Sequence, residues 1–190
     1  MPISPSAVAA HLSCGHLTQL ERKRREGTLR IEFATDPRLE ALQERGLRHE
    51  AEYVARLRAE GRSVQDLRAT KDPSATLAAM REGVGAIVQA PLANVQFSGI
   101  ADVLLRCESP SSLGAYSYEP VETKLARDTR ASAILQLMTY CELVEPLQGK
   151  ASEHVHVVTP LAQETYVGRT GFAATARWLA LPAESKSSVA

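Results

Sequence analysis

The chain is short of cysteine. Three residues, Cys14, Cys107 and Cys141, are too few and too scattered across 190 positions for a disulfide framework, which fits a reducing, cytoplasmic setting. The first 20 residues contain no lysine or arginine, so the basic front of a secretory signal is missing. No apolar run approaches the roughly 18 residues that span a bilayer, and no membrane partner is expected. Net charge is lacking too: 22 basic and 22 acidic residues sum to zero, so only a local basic patch could steer a polyanion. No repeat of roughly 20 to 50 residues is visible. Low complexity is confined to Ala183–Ser188, expected to belong to a disordered tail over 183–190. The remainder, 1–182, has the length of a single domain able to bury a core.

What the sequence does contain is an unusual hairpin between Val95 and Lys124. Two apolar runs of strand length flank a turn rich in serine, proline and glycine, the pattern of adjacent antiparallel strands. Strict alternation puts Ile100, Asp102 and Leu104 on one face and Ala101, Val103 and Leu105 on the other. Asp102 is therefore expected to be buried. On the second strand Glu122 and Lys124 are two apart and project to one side. Burying a charge costs several kcal/mol unless it is paired or holds a metal. The hairpin alone leaves two readings open, a buried salt bridge to Lys124 or a metal site.

Along the chain, Ser4-Pro5 predicts a capped helix start, and a second helix is expected from His16 to Glu26, stopped by Gly27. It carries Arg22, Lys23, Arg24 and Arg25, a run that reads as a solvated face or as a phosphate-contacting patch. Asp36-Pro37 opens the longest helix, to Glu60, with an inward stripe of Leu39, Leu42, Gly46, His49, Tyr53 and Leu57. His49 fills a leucine slot, either as a satisfied core histidine or as a ligand, with Glu50 beside it. Gly46 suggests close approach of another backbone. A short helix follows from Asp72-Pro73 to Arg81, then a strand from Val84 to Gln89 that Pro91 should end. After the hairpin, Asp128 caps an amphipathic helix ending before Pro146, on which Gln136 and Tyr140 sit four apart. Lys124, Arg127 and Arg130 cluster at its start, where a phosphate could be met. His154–Val158 and Thr165–Val167 read as strands, and 169–181 as a last helix. The order predicts an α/β fold, a mixed central sheet (core about 84–168) flanked by helices, with a helical N-terminal part over about 4–81.

Four motifs in order, Gly46-Leu47-Arg48-His49, Gly99-Ile100-Ala101-Asp102, Glu122-Thr123-Lys124 and Gln136-Leu137-Met138-Thr139-Tyr140, resemble the PD-(D/E)xK nuclease superfamily and specifically its RecB-like branch. The resemblance implies a restriction-endonuclease-like core and a metal-dependent DNA nuclease, an exonuclease of DNA processing or repair. It implies that Asp102, Glu122, the Thr123 carbonyl and His49 hold Mg2+ or Mn2+, hard ions that suit oxygen ligands. Lys124 would orient or help deprotonate the attacking water, and Gln136 and Tyr140 would line the site. Arg127, Arg130 and the run Arg22 to Arg25 are candidates for DNA-backbone contact, and Glu50 for a supporting acid. Some RecB-like nucleases, including CRISPR-associated ones, hold an iron–sulfur cluster with one N-terminal cysteine and three after the core. Cys14 matches the first as a relic; the others are absent, so no cluster is expected and Cys14 reads as a buried thiol. Such domains are often fused to helicases, so a helicase or other repair protein is a candidate partner and the chain could be a piece of a longer protein. The alternative function is a nuclease-like fold that has lost activity and serves as a nucleic-acid-binding or assembly module.

Overall fold

The computed structural model describes residues 2–30 and 36–168; the helix expected over 169–181 and the tail lie outside them. One local grammar starts three of the helices. At α1 (Pro5–Ser13), Ser4 Oγ accepts the Ala7 N–H at 3.1 Å. Following α2 (Gly15–Arg25), α3 (Pro37–Ala59) is capped by Asp36, which accepts from Arg38 N–H at 2.9 Å. At α4 (Pro73–Arg81), Asp72 accepts from Ser74 N–H at 2.9 Å. In each case the proline at the first helical position gives up an N–H that would have no partner there.

The fifth helix departs from expectation at both ends. α5 (Ala131–Gln148) begins after Arg130 rather than Asp128, without a side-chain cap, and continues through Pro146. Pro146 removes the donor that the Glu142 carbonyl would have met, and the helix continues only to Gln148. Beyond it Gln148 is fully buried, accepting the Tyr118 N–H at 2.7 Å and donating to the Tyr118 and Lys150 carbonyls, which anchors that turn. Gly149, at φ 64°, then ends the helix.

The fold is α/β. Among the described residues six strands, β1 (Val64–Asp66), β2 (Ala86–Ala93), β3 (Ser98–Cys107), β4 (Ser117–Thr123), β5 (His154–Val158) and β6 (Gln163–Val167), form one mixed sheet in sequential order. The parallel pairs β1/β2 and β4/β5 are joined through α4 and α5, and the other pairs are antiparallel. β1 is too short for its period to be read in sequence. Pro91 does not end β2: its carbonyl accepts from Thr76 Oγ1 at 2.7 Å, on the side away from β3. β1 reaches only Val88, so no neighbour asks Pro91 for a donor.

α3 covers one face of the sheet, packing Tyr53, Val54 and Leu57 on Val88, Val103 and Val121. On the other face Val8 of α1, Met80 of α4 and Leu143 and Val144 of α5 enclose Ile87, Leu104 and Tyr118. α1 comes close enough that a Cβ on Gly99 would stand 2.7 Å from Pro5 Cδ, so Gly99 is required by approach. No helix among the described residues is long and apolar enough to cross a membrane.

The stripe on α3 is buried only in its second half; Leu39 and Leu42 are 56% and 52% exposed. Nor does a backbone approach Gly46, where a Cβ would find only Leu125 Cδ1 at 4.0 Å. Gly46→Ala is therefore expected to raise stability by about 1 kcal/mol through helix propensity, measured as an increased urea midpoint.

Candidate functional site

Side-chain alternation fails at one row of the sheet. Along β2, Ile87 packs toward α5 and Val88 toward α3, but Ala90 is again on the α5 side; along β3, Ala101 joins Leu104 rather than Val103. The register places Gln89 opposite Asp102 at this point, with no ladder pair between them, and Gln89 has φ 52°. It is the only positive-φ residue other than glycine among the described residues. The expected grouping of Ala101 with Val103 is thus incorrect, because the twist at Gln89 resets both strands. Two consecutive β2 side chains, Val88 and Gln89, consequently serve the α3 side of the sheet.

The β3/β4 ladder stops at the same level. Its last pair is Val103 with Val121, and the next residues in register are Asp102 and Glu122. Instead of a backbone bond there, the Thr123 N–H and hydroxyl both donate to Asp102 Oδ2, at 2.8 and 2.9 Å. Asp102 is half-buried rather than buried, and opens with Glu122 and Glu50 onto a cleft of about 450 Å3 also lined by Gln43, Gly46, Leu47, Thr123 and Lys124.

Each acid is held by donors. Lys124 Nζ is ion-paired with Glu122 Oε1, and Gln136 Nε2 donates to both Glu122 oxygens at 3.0 Å. Tyr140, one turn along α5, donates to the Ile100 carbonyl at 2.5 Å. Gln136, half-buried, is thus committed to Glu122, while Tyr140 is buried in the core on the α5 side, and neither is among the residues that line the cleft. Glu50, 6% exposed, accepts from Gln89 Nε2 at 3.0 and 3.1 Å and from Arg68 at 2.9 Å.

Burial first, then the Asp102 carboxylate, pushes Glu122 up to about 7 against the downward pull of Lys124 and Gln136. Glu50 is raised for the same two reasons, opposed by Gln89 and Arg68. Between about 4.5, the ordinary value of Glu122, and about 7, the folded chain retains a proton that the unfolded chain has lost. The stability Glu122 contributes to the metal-free protein thus falls as pH rises through that window, by at most about 3 kcal/mol. Chemical denaturation from pH 4.5 to 7.5 is expected to give a smaller loss with rising pH for Glu122→Gln than for the unaltered chain.

The structure does not bring His49 to these acids. Its Nε2 lies 3.0 Å from the Val158 carbonyl, which also accepts the Lys124 N–H at 2.9 Å, and its ring lines a separate cavity of about 210 Å3 with Glu52, Tyr53 and Arg56. Arg127 and Arg130 are exposed on the segment after Lys124, with no ion-pair partner among the described residues. Lys23 and Arg24 are exposed, Arg22 pairs with Glu26, and none of these three lines the cleft; α2, which also carries Arg25, packs on α1. Cys14 is exposed at the α1–α2 junction, contrary to the expected buried thiol, and all three cysteines are free.

Two residues at the site carried no motif. Gln89 was visible only as a lone amide in an apolar run, and Arg68 follows a strand too short to read. Among the described residues no three His, Cys, Asp or Glu side chains form a preassembled ion cage. Neither a protein-family model nor a curated protein sequence matches the chain.

Proposed function

We propose that this chain is a metal-dependent DNA nuclease of the PD-(D/E)xK type, with a restriction-endonuclease-like core and RecB-like motifs. The observation that carries the reading is the row Asp102–Glu122, two carboxylates in register where the backbone ladder ends, with Lys124 against one and Glu50 facing the same cleft. Three acids gathered in a half-buried place repel one another, which favours a cation. The donors are oxygens, and Mg2+ or Mn2+ is commonly held by one or two carboxylates plus water, so a preassembled cage of three is not required. Asp102, Glu122 and the Thr123 carbonyl would hold the ion, with Glu50 rather than His49 as the further acid of the cleft. Bound there, the ion supplies Lewis-acid polarisation of the phosphate and lowers the pKa of water.

The chain's own residues supply the rest. Thr123 fixes the Asp102 carboxylate, and Gln136 fixes Glu122. Lys124, 39% exposed in its side chain, is placed to orient a water, to take or return its proton and to balance charge on the phosphate. Arg127 and Arg130 lie a few residues on and suit the DNA backbone, a salt-sensitive and sequence-independent contact. Every carboxylate in the cleft already has internal donors, which favours a second reading, an inactive binding or assembly module.

Calorimetry with Mn2+ and cleavage assays on linear, circular and single-stranded DNA test both. The nuclease reading expects stoichiometric uptake, and Mg2+- or Mn2+-dependent degradation of linear DNA with circular DNA spared, both lost in Asp102→Ala. Salt-dependent DNA binding without metal uptake would replace it with the module.

A further inference from the structure

We infer that Gln89 and Arg68 form a clamp that fixes the Glu50 carboxylate toward Asp102, and that Gln89 is a positioning residue of the site. The inference rests on the nuclease reading for what Glu50 does, but its geometry stands independently. Gln89 sits in register with Asp102 on the neighbouring strand, and its amide donates to both Glu50 oxygens. Arg68 donates to Oε1 of the same carboxylate, the oxygen that Gln89 also meets at 3.0 Å, and is itself steadied by Asp66, whose Oδ1 accepts the Arg68 N–H at 2.9 Å and whose Oδ2 lies 3.6 Å from its guanidinium. The two donors come from β2 and from the turn after β1, while Glu50 comes from α3, so the clamp spans three separately positioned elements.

The backbone supplies the second observation. A glutamine at φ 52° is strained, and strain of this kind persists where the surroundings over-determine it. A regular β2 would give successive side chains to opposite faces, leaving Val88 over α3 and the next residue on the far side of the sheet. The left-handed turn at residue 89 instead delivers an amide to the α3 side directly beside Val88. The conformation thus exchanges strand regularity for a donor against a buried acid. A role in stability alone would predict the reverse choice, a residue that relaxes the strand.

Glycine at this position removes the steric strain and the amide together, which separates the two roles. In the full-length chain, Gln89→Gly is expected to melt no lower than the unaltered protein, while its Mn2+ affinity falls about 10- to 100-fold, the usual consequence of losing a residue that orients a metal-site acid. Arg68→Ala is expected to lose Mn2+ affinity over the same range; because the Arg68 side chain is 57% exposed, this variant carries the test even if Gln89→Gly does not fold. The Mn2+ concentration giving half-maximal DNA cleavage should rise in parallel in both. Calorimetric Mn2+ affinity equal to that of the unaltered chain in Gln89→Gly and in Arg68→Ala would overturn the clamp while leaving the nuclease reading intact. Absence of Mn2+ uptake by the unaltered chain would overturn both.

Discussion

Lys124→Ala is expected to lower Mn2+-dependent cleavage of linear DNA by about 100- to 10,000-fold and to leave Mn2+ uptake in place, the range associated with loss of a positioned proton-transfer group. The separation follows from how Glu122 is held. Its oxygens have two sources of donors, Lys124 just past the end of β4 and Gln136 from α5, and the amide remains when the ammonium is removed. The carboxylate keeps its place, so an ion held by Asp102 and Glu122 keeps its ligands. What is lost is the one cation that lines the cleft among the described residues. Single-turnover cleavage at saturating Mn2+, set beside calorimetry, reads the two effects separately. Arginine should not rescue the rate, because a guanidinium that remains charged cannot exchange a proton with water near neutral pH. Cleavage by Lys124→Ala at the original rate would remove the lysine from the chemistry.

How far the sequence disclosed this arrangement varied with the kind of signal. Ser4-Pro5, Asp36-Pro37 and Asp72-Pro73 announce their helices because a cap and a proline act within one turn, with little reference to the rest of the molecule. The hairpin was legible for the same reason, two strands and their turn being local in sequence. Pro91 and Pro146 misled because whether a missing N–H matters depends on what lies beside it, an unpaired strand edge in one case and a buried Gln148 anchor in the other. The stripe of α3 misled differently: its spacing continues through Leu39 and Leu42, while Tyr53, Val54 and Leu57 are the residues that reach the sheet.

At the site, the resemblance of the motifs groups Asp102, Glu122, Lys124 and Gln136, and the structure places these side chains together. Gln89 and Arg68 could not, since each owes its position to a feature with no periodic signature, a single left-handed residue and a three-residue strand. The same left-handed residue defeated the face assignment of β3. Alternation is a rule about regular strands, and the row that departs from it is the one where the polar groups collect.

The choice between His49 and Glu50 gives the other large effect. Glu50→Gln is expected to weaken Mn2+ binding by about 100-fold, whereas His49→Ala leaves that affinity unchanged and costs about 1 kcal/mol of stability, the worth of one hydrogen bond. The two residues are adjacent on α3, and a turn of roughly 100° per residue sends their side chains in different directions. The helix is set so that Glu50 meets Gln89, Arg68 and the Asp102 cleft, and His49 meets the Val158 carbonyl at the end of β5. That carbonyl also receives the Lys124 N–H, so the imidazole ties α3 to the strand end that carries the lysine without facing the acids. Glutamine at 50 preserves shape but presents an amide to two donors and removes a negative charge from the cleft, so the effect falls on the cation rather than on packing. Calorimetry on both variants, with urea denaturation of the metal-free proteins, distinguishes the assignments: loss of Mn2+ affinity in His49→Ala with retention in Glu50→Gln would return the histidine to the metal and require α3 to rotate when the ion binds.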